Sequence, residues 1–206
     1  MPNQALMSSK KHDWRTPQDL FDFVAAPLEL RTDLAASKRN ALLPSYLTER
    51  DNALEQSWRP LSPTWANPPF GRALPGWIQK HAEEALEGTR MCLHMPARPD
   101  TDAWHSYILA PHPPFHLPTV IWIRGRITYR GAPSPAPFPS CFVLWGWSSF
   151  DLVRRFSAAR ARAKVQAKQQ AKAKAQAKRR QACRQDEPRW ILRPQSGRFW
   201  TAERII

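Results

Sequence analysis

A single basic segment limits where a folded core can form in this chain. Residues 154–185 contain twelve Lys or Arg side chains and no Asp or Glu. From residue 157 to 185 the sequence is mainly Ala, Lys, Gln and Arg, which are good helix formers. Apart from alanine and Val165, it offers no apolar stripe that could pack on a core. We therefore predict a folded domain over residues 13–150, followed by a basic helix over residues 151–187.

The other segments have the composition of one ordinary folded domain with short ends. The chain has 206 residues, of which 42% are hydrophobic. Outside the basic segment it contains nineteen basic and seventeen acidic residues, so the rest of the chain is nearly neutral. We expect residues 1–12 to form a disordered N-terminal segment and residues 188–206 to form a C-terminal tail. No run approaches the roughly 18–20 apolar residues of a membrane span, and the N-terminus lacks a signal-peptide core. We therefore expect a cytoplasmic protein without a membrane partner.

The cysteine and histidine positions do not indicate a metal site. Cys92, Cys141 and Cys183 form no CxxC pair and no zinc spacing. The six histidines show no metal-ligand spacing either. We expect reduced thiols, with Cys92 and Cys141 in the core because they lie inside apolar runs, and no metal.

Strand and helix patterns alternate in the first 110 residues. A helix is expected from Pro17 to Ala25, with Thr16 as its N-cap and Pro17 at its first position. A hairpin is expected around Arg124–Arg126. The remaining predictions are strands at residues 28–33, 64–66, 90–95 and 140–147, and helices at residues 74–86 and 101–109. This order predicts an α/β fold with a mixed sheet, flanking helices and an antiparallel edge.

A tetrapeptide directly after the short apolar strand carries the clearest chemistry. It reads Asn67-Pro68-Pro69-Phe70. An Asn side-chain carbonyl and a backbone carbonyl can each accept one N–H of a planar amine, which localises the nitrogen lone pair for methylation. The two prolines fix φ and preorganise the carbonyls, and the aromatic ring gives a base a surface on which to stack. A plain turn is the alternative, because proline accounts for 21 of the 206 residues and Asn-Pro commonly opens turns.

Further motifs occur in a fixed order on both sides of the tetrapeptide. They are Trp14–Gln18, Asp33–Ser37, Asn40–Ala41, Tyr46–Thr48, Asp51–Leu54, Trp58, Pro96–Arg98, Asp100–Thr101, Arg124–Arg126 and Pro137–Ser140. This order, over about residues 13–147, resembles the phage-type DNA adenine-N6 methyltransferases, the Dam-like family of bacteriophages and prophages. A phage or prophage protein of this kind would act in the bacterial host cytoplasm.

The resemblance implies a Rossmann-like methyltransferase fold that uses S-adenosylmethionine. It implies that Thr16 and Pro17 line the donor pocket, that Asp33 and Ala35 bind the donor after the first strand, and that Asp51 and Asn52 face its adenosine. Asn67, Pro68, Pro69 and Phe70 would hold the target amine. The alternatives are a plain strand-end turn at Asp33 and a surface turn at Asp51–Asn52.

Two positions depart from the family pattern. Ala35-Ala36-Ser37 replaces the glycine-rich loop that often follows the first strand, and Phe70 stands where many relatives carry Tyr. Small residues still permit close approach of a ligand, and a phenyl ring still stacks.

Basic residues indicate contacts with double-stranded DNA. Candidates in the domain are Arg98, Arg124 and Arg126, and candidates in the basic helix are Lys164, Lys168, Lys172 and Arg179. The alternative interpretation is a set of solvated charges. Other acceptors also stay open: adenine in RNA, cytosine N4 or a protein glutamine. A third hypothesis is a DNA-binding protein on a decayed methyltransferase scaffold.

Overall fold

A computed structural model describes residues 14–109, 115–185, 189–194 and 200–205. The chain divides into two compact units, residues 1–158 and residues 159–206. The boundary between the units falls inside one continuous helix. The four segments expected from composition therefore stay a prediction.

The first unit is built on a six-stranded mixed sheet. Its strands are β1 (Thr32–Asp33), β2 (Ser45–Tyr46), β3 (Thr64–Ala66), β4 (Met91–Pro96), β5 (Thr119–Trp122) and β6 (Ser140–Trp145). Their order across the sheet is β2-β1-β3-β4-β6-β5. The pairs among β1 to β4 are parallel, and β6 pairs antiparallel with both β4 and β5. The expected α/β fold with a mixed sheet and an antiparallel edge is confirmed.

Three helices and the first residues of a fourth, 149–158, cover both faces of this sheet. They are α1 (Gln18–Leu28), α2 (Leu74–Leu86), the short α3 (Asp102–Trp104), which continues as a π-helical stretch His105–Leu109, and α4 (Ser149–Gln185). The period of two along β4 sends alternate side chains to opposite faces. Met91 and Leu93 therefore pack in the core cluster that contains Trp77 of α2, whereas Cys92 packs in the cluster of α1 that also contains Leu152 of α4.

Both cysteines that were assigned to the core are buried there. Cys92 and Cys141 are free thiols with no exposed surface. Burial raises the pKa of Cys141 to about 12, so the thiol is protonated at neutral pH.

The N-terminal helix and the first strand differ from expectation. Pro17 is the N-cap and α1 begins at Gln18, so the prediction that Thr16 caps the helix is wrong. The helix continues to Leu28 and ends at Glu29, which adopts a left-handed conformation with φ 54°. Leu28 therefore ends α1 and does not begin a strand, and only Thr32 and Asp33 of the strand expected at residues 28–33 form β1.

The hairpin expected around Arg124–Arg126 is also wrong. β5 pairs with β6, at a distance along the chain, and not with residues 127–129. The latter residues bury Ile127 and Tyr129 in a separate cluster with Phe138. Local spacing could not reveal this pairing, because β6 follows about twenty residues later in the chain.

The second unit contains the remainder of α4 and a two-stranded antiparallel sheet. Its strands are β7 (Arg189–Pro194) and β8 (Trp200–Ile205). α4 confirms the long helix expected in the basic segment. Among the described residues, none of the helices combines the length and the apolar character needed to cross a membrane.

Candidate active site

The strand order creates a crevice at the carboxyl ends of β1 and β3. From β1 the chain moves to β2 on one side and then to β3 on the other. In open α/β sheets, such a reversal of strand order is where ligands bind. Asp33 is the last residue of β1, and Asn67 follows the last residue of β3. The Leu34 amide donates to the Trp65 carbonyl at 2.8 Å, which joins the two strand ends.

A cavity of about 930 Å³ lies at this crevice. Its volume is at the upper end of the range for small-molecule sites. Several residues assigned from the sequence line it together: Thr16, Asp33, Ala35, Asn52, Asn67 and Pro69. Pro17, Asp51, Pro68 and Phe70 are not part of its wall.

The side-chain amide of Asn67 has a fixed orientation. Its Nδ2 donates a hydrogen bond of 2.5 Å to the main-chain carbonyl of Trp14. Because a carbonyl oxygen can only accept, the NH₂ end of the amide must face Trp14. Oδ1 is buried and has no hydrogen-bond partner among the described residues. Since an unsatisfied buried acceptor is unfavourable, this oxygen is suited to receive an N–H from a ligand.

Aromatic rings support the turn that carries Asn67. Phe70 is half-buried and packs on Phe138, His94 and Tyr129, with ring centroids 5.8, 6.0 and 6.1 Å away. Trp14 packs on two of the same rings, 5.0 Å from Tyr129 and 5.7 Å from Phe138. We call Trp14, Phe70, Tyr129 and Phe138 the aromatic cluster. It connects the segment before α1 to the turn after β3.

The histidine beneath Phe70 is a poor proton acceptor. His94 lies in β4 with no exposed surface, and burial lowers its pKa to about 3. The imidazole is therefore neutral at physiological pH and binds a proton weakly. It packs as an aromatic ring, stacked at 5.9 Å on Trp65.

Asp33 provides a buried carboxylate in the cavity wall. It accepts hydrogen bonds from the backbone amides of Leu42 at 3.2 Å and Ala35 at 3.3 Å. Burial raises its pKa to about 6, and the two backbone hydrogen bonds oppose that shift. Asp33 is therefore mostly ionised at pH 7 and can pair with a cationic group on a ligand.

A second buried oxygen in the wall also lacks a partner. Thr16 is 3% exposed, and its Oγ1 makes no hydrogen bond among the described residues. Together with Asn67 Oδ1, it gives the cavity two polar atoms that have no partner among the described residues and that a bound molecule or water could satisfy.

The carboxylate of Asp51 is engaged within its own turn. It accepts hydrogen bonds of 2.7 Å from both the backbone amide and the hydroxyl of Thr48. These bonds lower the pKa of Asp51. Its neighbours Glu49 and Asn52 line the cavity instead. Glu49 was not among the residues expected from the sequence. The Thr48-x-x-Asp51 spacing resembles a capping box and could have indicated that the Asp51 carboxylate is already hydrogen-bonded.

The arginines assigned to DNA in the first unit lie at the same edge of the sheet as the cavity. β5 runs parallel to β4 through their common partner β6, so both end at that edge. Arg98 follows β4 and is half-buried, and Arg124 and Arg126 follow β5 and are exposed. Lys164, Lys168 and Lys172 are exposed on α4 in the second unit, and the side chain of Arg179 lies outside the described residues.

Comparison with known protein families shows the family to which the chain belongs. A sequence model of the family described as DNA N-6-adenine-methyltransferase (Dam) matches residues 3–138, about two thirds of the chain. The chain belongs to this family. It is therefore an enzyme, a DNA adenine-N6 methyltransferase. The family membership that the order of the motifs indicated is confirmed. A search of curated proteins found no match for this methyltransferase. The matched region contains the whole cavity wall and ends before α4.

Proposed function

We propose that this methyltransferase transfers the methyl group of S-adenosylmethionine to N6 of adenine in double-stranded DNA. In this proposal the cavity between β1 and β3 accommodates the donor, and the turn after β3, which contributes Asn67 and Pro69 to the cavity wall, holds the target amine. The observation that carries the proposal is the orientation of Asn67, whose Oδ1 is a buried acceptor without a partner among the described residues.

The wall of the cavity fits the polar groups of S-adenosylmethionine. The donor presents an ammonium, a carboxylate, a ribose diol and an adenine ring. The carboxylate of Asp33 suits the ammonium, and Thr16 Oγ1 can donate to the carboxylate. Glu49 and Asn52 supply acceptors for ribose hydroxyls, and the small side chain of Ala35 permits close approach. When bound, the donor supplies a methyl group carried on a positively charged sulfur.

The turn after β3 would hold the amine. Asn67 Oδ1 and the Pro68 carbonyl would each accept one N–H of the exocyclic amine, which localises its lone pair toward the methyl group. Pro68 and Pro69 fix the backbone, so these acceptors need little reorganisation. No strong base is required, since the nitrogen becomes acidic as the new bond forms and its surplus proton can pass to water. His94, whose pKa is about 3 because of burial, would not serve as the acceptor of this proton.

Access to adenine in a duplex requires that the base leave the stack. Phe70 is half-buried, so part of its ring is accessible to an extruded base. Arg98, Arg124 and Arg126 lie at the edge of the sheet that contains the cavity, and we assign them to the phosphates that flank the target. Pro17 and Asp51 would act indirectly. Pro17 is the N-cap residue of α1, and Asp51 stabilises the turn at Thr48 by accepting its hydrogen bonds.

A direct test uses the purified full-length chain with labelled S-adenosylmethionine and duplex DNA, followed by digestion to nucleosides. We expect N6-methyladenine as the product. Asn67→Ala should lower kcat by about 10²–10³, the usual effect of removing one preorganised polar group, while donor affinity measured by calorimetry stays within about threefold. Gln79→Ala is a matched control, because it removes an amide from an exposed position of α2.

Other outcomes would each contradict a different part of the proposal. Methylation of cytosine N4, of RNA or of protein glutamine would show that the acceptor is wrong. Undetectable donor binding at high concentration, together with intact DNA binding, would favour a protein that only binds DNA.

A further inference from the structure

The part of α4 in the second unit has an unusual charge distribution. Residues 159–185 contain ten Lys or Arg and no acid. From Arg160 to Lys178 every residue is exposed. This segment lies beyond the region shared with the family, so its charge is a property of this chain and not of the family domain.

Most of these cations lie along one side of the helix. Arg160, Lys164, Lys168 and Lys172 are four residues apart and form one row, and Lys174 and Lys178 project from the same side. At 3.6 residues per turn, these six positions span about 160° of the helix circumference. We call them the cationic face.

The cationic face is unfavourable for an isolated helix. Like charges at i and i+4 repel each other, and this row contains three such pairs in succession. Val165, the largest apolar side chain between residues 160 and 178, is 54% exposed, so tertiary packing contributes little to this stretch. A polyanion bound along the row would attract each of these side chains and so offset the repulsion between them.

We propose that the cationic face is a second DNA-binding surface, which holds the phosphate backbone of duplex DNA without reading its sequence. This proposal rests on DNA being the substrate of the proposed function. Binding there would release condensed counterions, so its affinity should depend steeply on salt. It would also keep the duplex at high local concentration near the enzyme. The surface should therefore lower KM for DNA and leave the chemical step to the cavity.

The test replaces Arg160, Lys164, Lys168 and Lys172 together by Gln in the full-length chain. Gln has nearly the same helix propensity as Lys or Arg, so the helix is retained while four charges are removed. The matched control changes Lys164, Lys168 and Lys172 to Arg, which preserves the charge. Affinity for a duplex of about 30 base pairs is measured without donor, over a series of salt concentrations.

We expect the Gln variant to bind duplex DNA at least about tenfold more weakly at about 0.1 M salt. The slope of log affinity against log salt should decrease by about 0.9 for each phosphate that the variant no longer neutralises, or up to about 3.6 in total. The Arg control should keep the slope of the unmodified protein. KM for DNA should rise in the Gln variant, and its kcat at saturating DNA should match that of the Arg control. Circular dichroism should show that DNA increases the helicity of the unmodified chain.

An unchanged affinity and slope in the Gln variant would overturn the proposal. The proposal would also be overturned if the Gln variant lost binding to anionic lipid vesicles or to single-stranded RNA while its binding to duplex DNA was unaffected. Asn67→Ala separates this proposal from the proposed function, because that variant should lose methyl transfer and keep the affinity and salt slope for DNA. If methyl transfer fails in every form, the donor-free binding data still decide whether the cationic face binds DNA.

Discussion

The side chain of Asn67 and the main chain of Trp14 are joined by a hydrogen bond across 53 residues of sequence. This bond places the segment before α1 against the turn after β3. The ring of Trp14 is itself held by Tyr129 and Phe138. The orientation of the Asn67 amide therefore depends on an aromatic contact remote from the turn in sequence.

We expect Trp14→Ala to lower kcat for methyl transfer by about tenfold or more. Removing the ring from Tyr129 and Phe138, where each aromatic pair contributes about 0.5–1.5 kcal/mol, should release the Trp14 carbonyl and with it the Asn67 amide. Trp14→Phe keeps a ring in the cluster and should retain kcat within about threefold. Single-turnover methylation measures this effect, and thermal unfolding checks that the variants are folded. Equal kcat in both variants would show that the ring does not position Asn67.

The raised pKa of Asp33 predicts that donor affinity depends on pH. With a pKa of about 6 in the free protein, the carboxyl is charged at pH 7 and increasingly neutral below pH 6. A neutral carboxyl attracts an ammonium weakly, so donor affinity should fall by up to about tenfold per pH unit below that value. Asp33→Asn should bind the donor weakly at all pH values. Calorimetry between pH 5 and 8 measures this, and a flat profile in the unmodified protein would contradict the assigned role.

The same shift has a consequence for stability. Because the pKa of Asp33 is higher in the folded protein than its ordinary value of 3.8, the folded state binds the proton more tightly. The free energy of unfolding contributed by this group should therefore decrease as pH rises from about 4 to about 6, by up to about 3 kcal/mol. Urea unfolding of the unmodified protein and of Asp33→Asn across this range isolates the effect, since other groups titrate equally in both. A constant difference between the two proteins would show that the pKa is not raised.

Two substitutions at Phe70 test what its aromatic ring contributes to activity and what a tyrosine hydroxyl at this position would add. Phe70→Tyr preserves the ring that packs on Tyr129 and Phe138, so we expect kcat/KM for DNA within about threefold of the unmodified protein. Phe70→Ala removes the ring and should reduce kcat/KM by about 5- to 150-fold, which corresponds to the loss of about 1–3 kcal/mol of base stacking. Steady-state methylation with duplex DNA measures both. An Ala variant as active as the Tyr variant would exclude a role for the ring.

The extent to which the sequence predicts this fold depends on the length of each element. The pattern of α2 gives its bounds, Leu74–Leu86, because thirteen residues are enough to show a helical period. β3 was found because it precedes a recognisable turn. In contrast, β2 has two residues, which is too short for a period of two to appear. Of the strand expected at residues 28–33, only Thr32 and Asp33 form β1. The pairing of β5 with β6 was missed because it is non-local.

The candidate site shows a similar division. Asn67 could be named from the sequence because the chemistry requires an amide oxygen beside rigid backbone. The partner of that amide is the carbonyl of Trp14, and a main-chain group leaves no trace in residue type. The burial that raises the pKa of Asp33 depends on how the strands are assembled. Residue types therefore indicated which side chains to propose for the reaction, and the groups that hold those side chains in place could be identified only from the structure.

Gly146 provides a stability prediction that is independent of catalysis. It follows β6 with φ +81°, and a Cβ there would lie 2.4 Å from the carbonyl oxygen of Thr89. That oxygen belongs to the backbone just before β4, so the clash cannot be relieved by moving a side chain. We expect Gly146→Ala to lower the free energy of unfolding by about 2 kcal/mol or more, because the left-handed conformation alone is unfavourable by about 1–2 kcal/mol for a residue with a Cβ.

Gly76→Ala is the matched control for this change. Gly76 lies in α2, and a Cβ there would meet no atom within 4 Å. The substitution should raise the free energy of unfolding by up to about 1 kcal/mol, because Ala favours the helix over Gly. Urea unfolding at pH 7 compares the two variants with the unmodified protein. Opposite signs are the expected result, whereas similar changes in both variants would show that the end of β6 does not approach Thr89 as closely as the structure indicates.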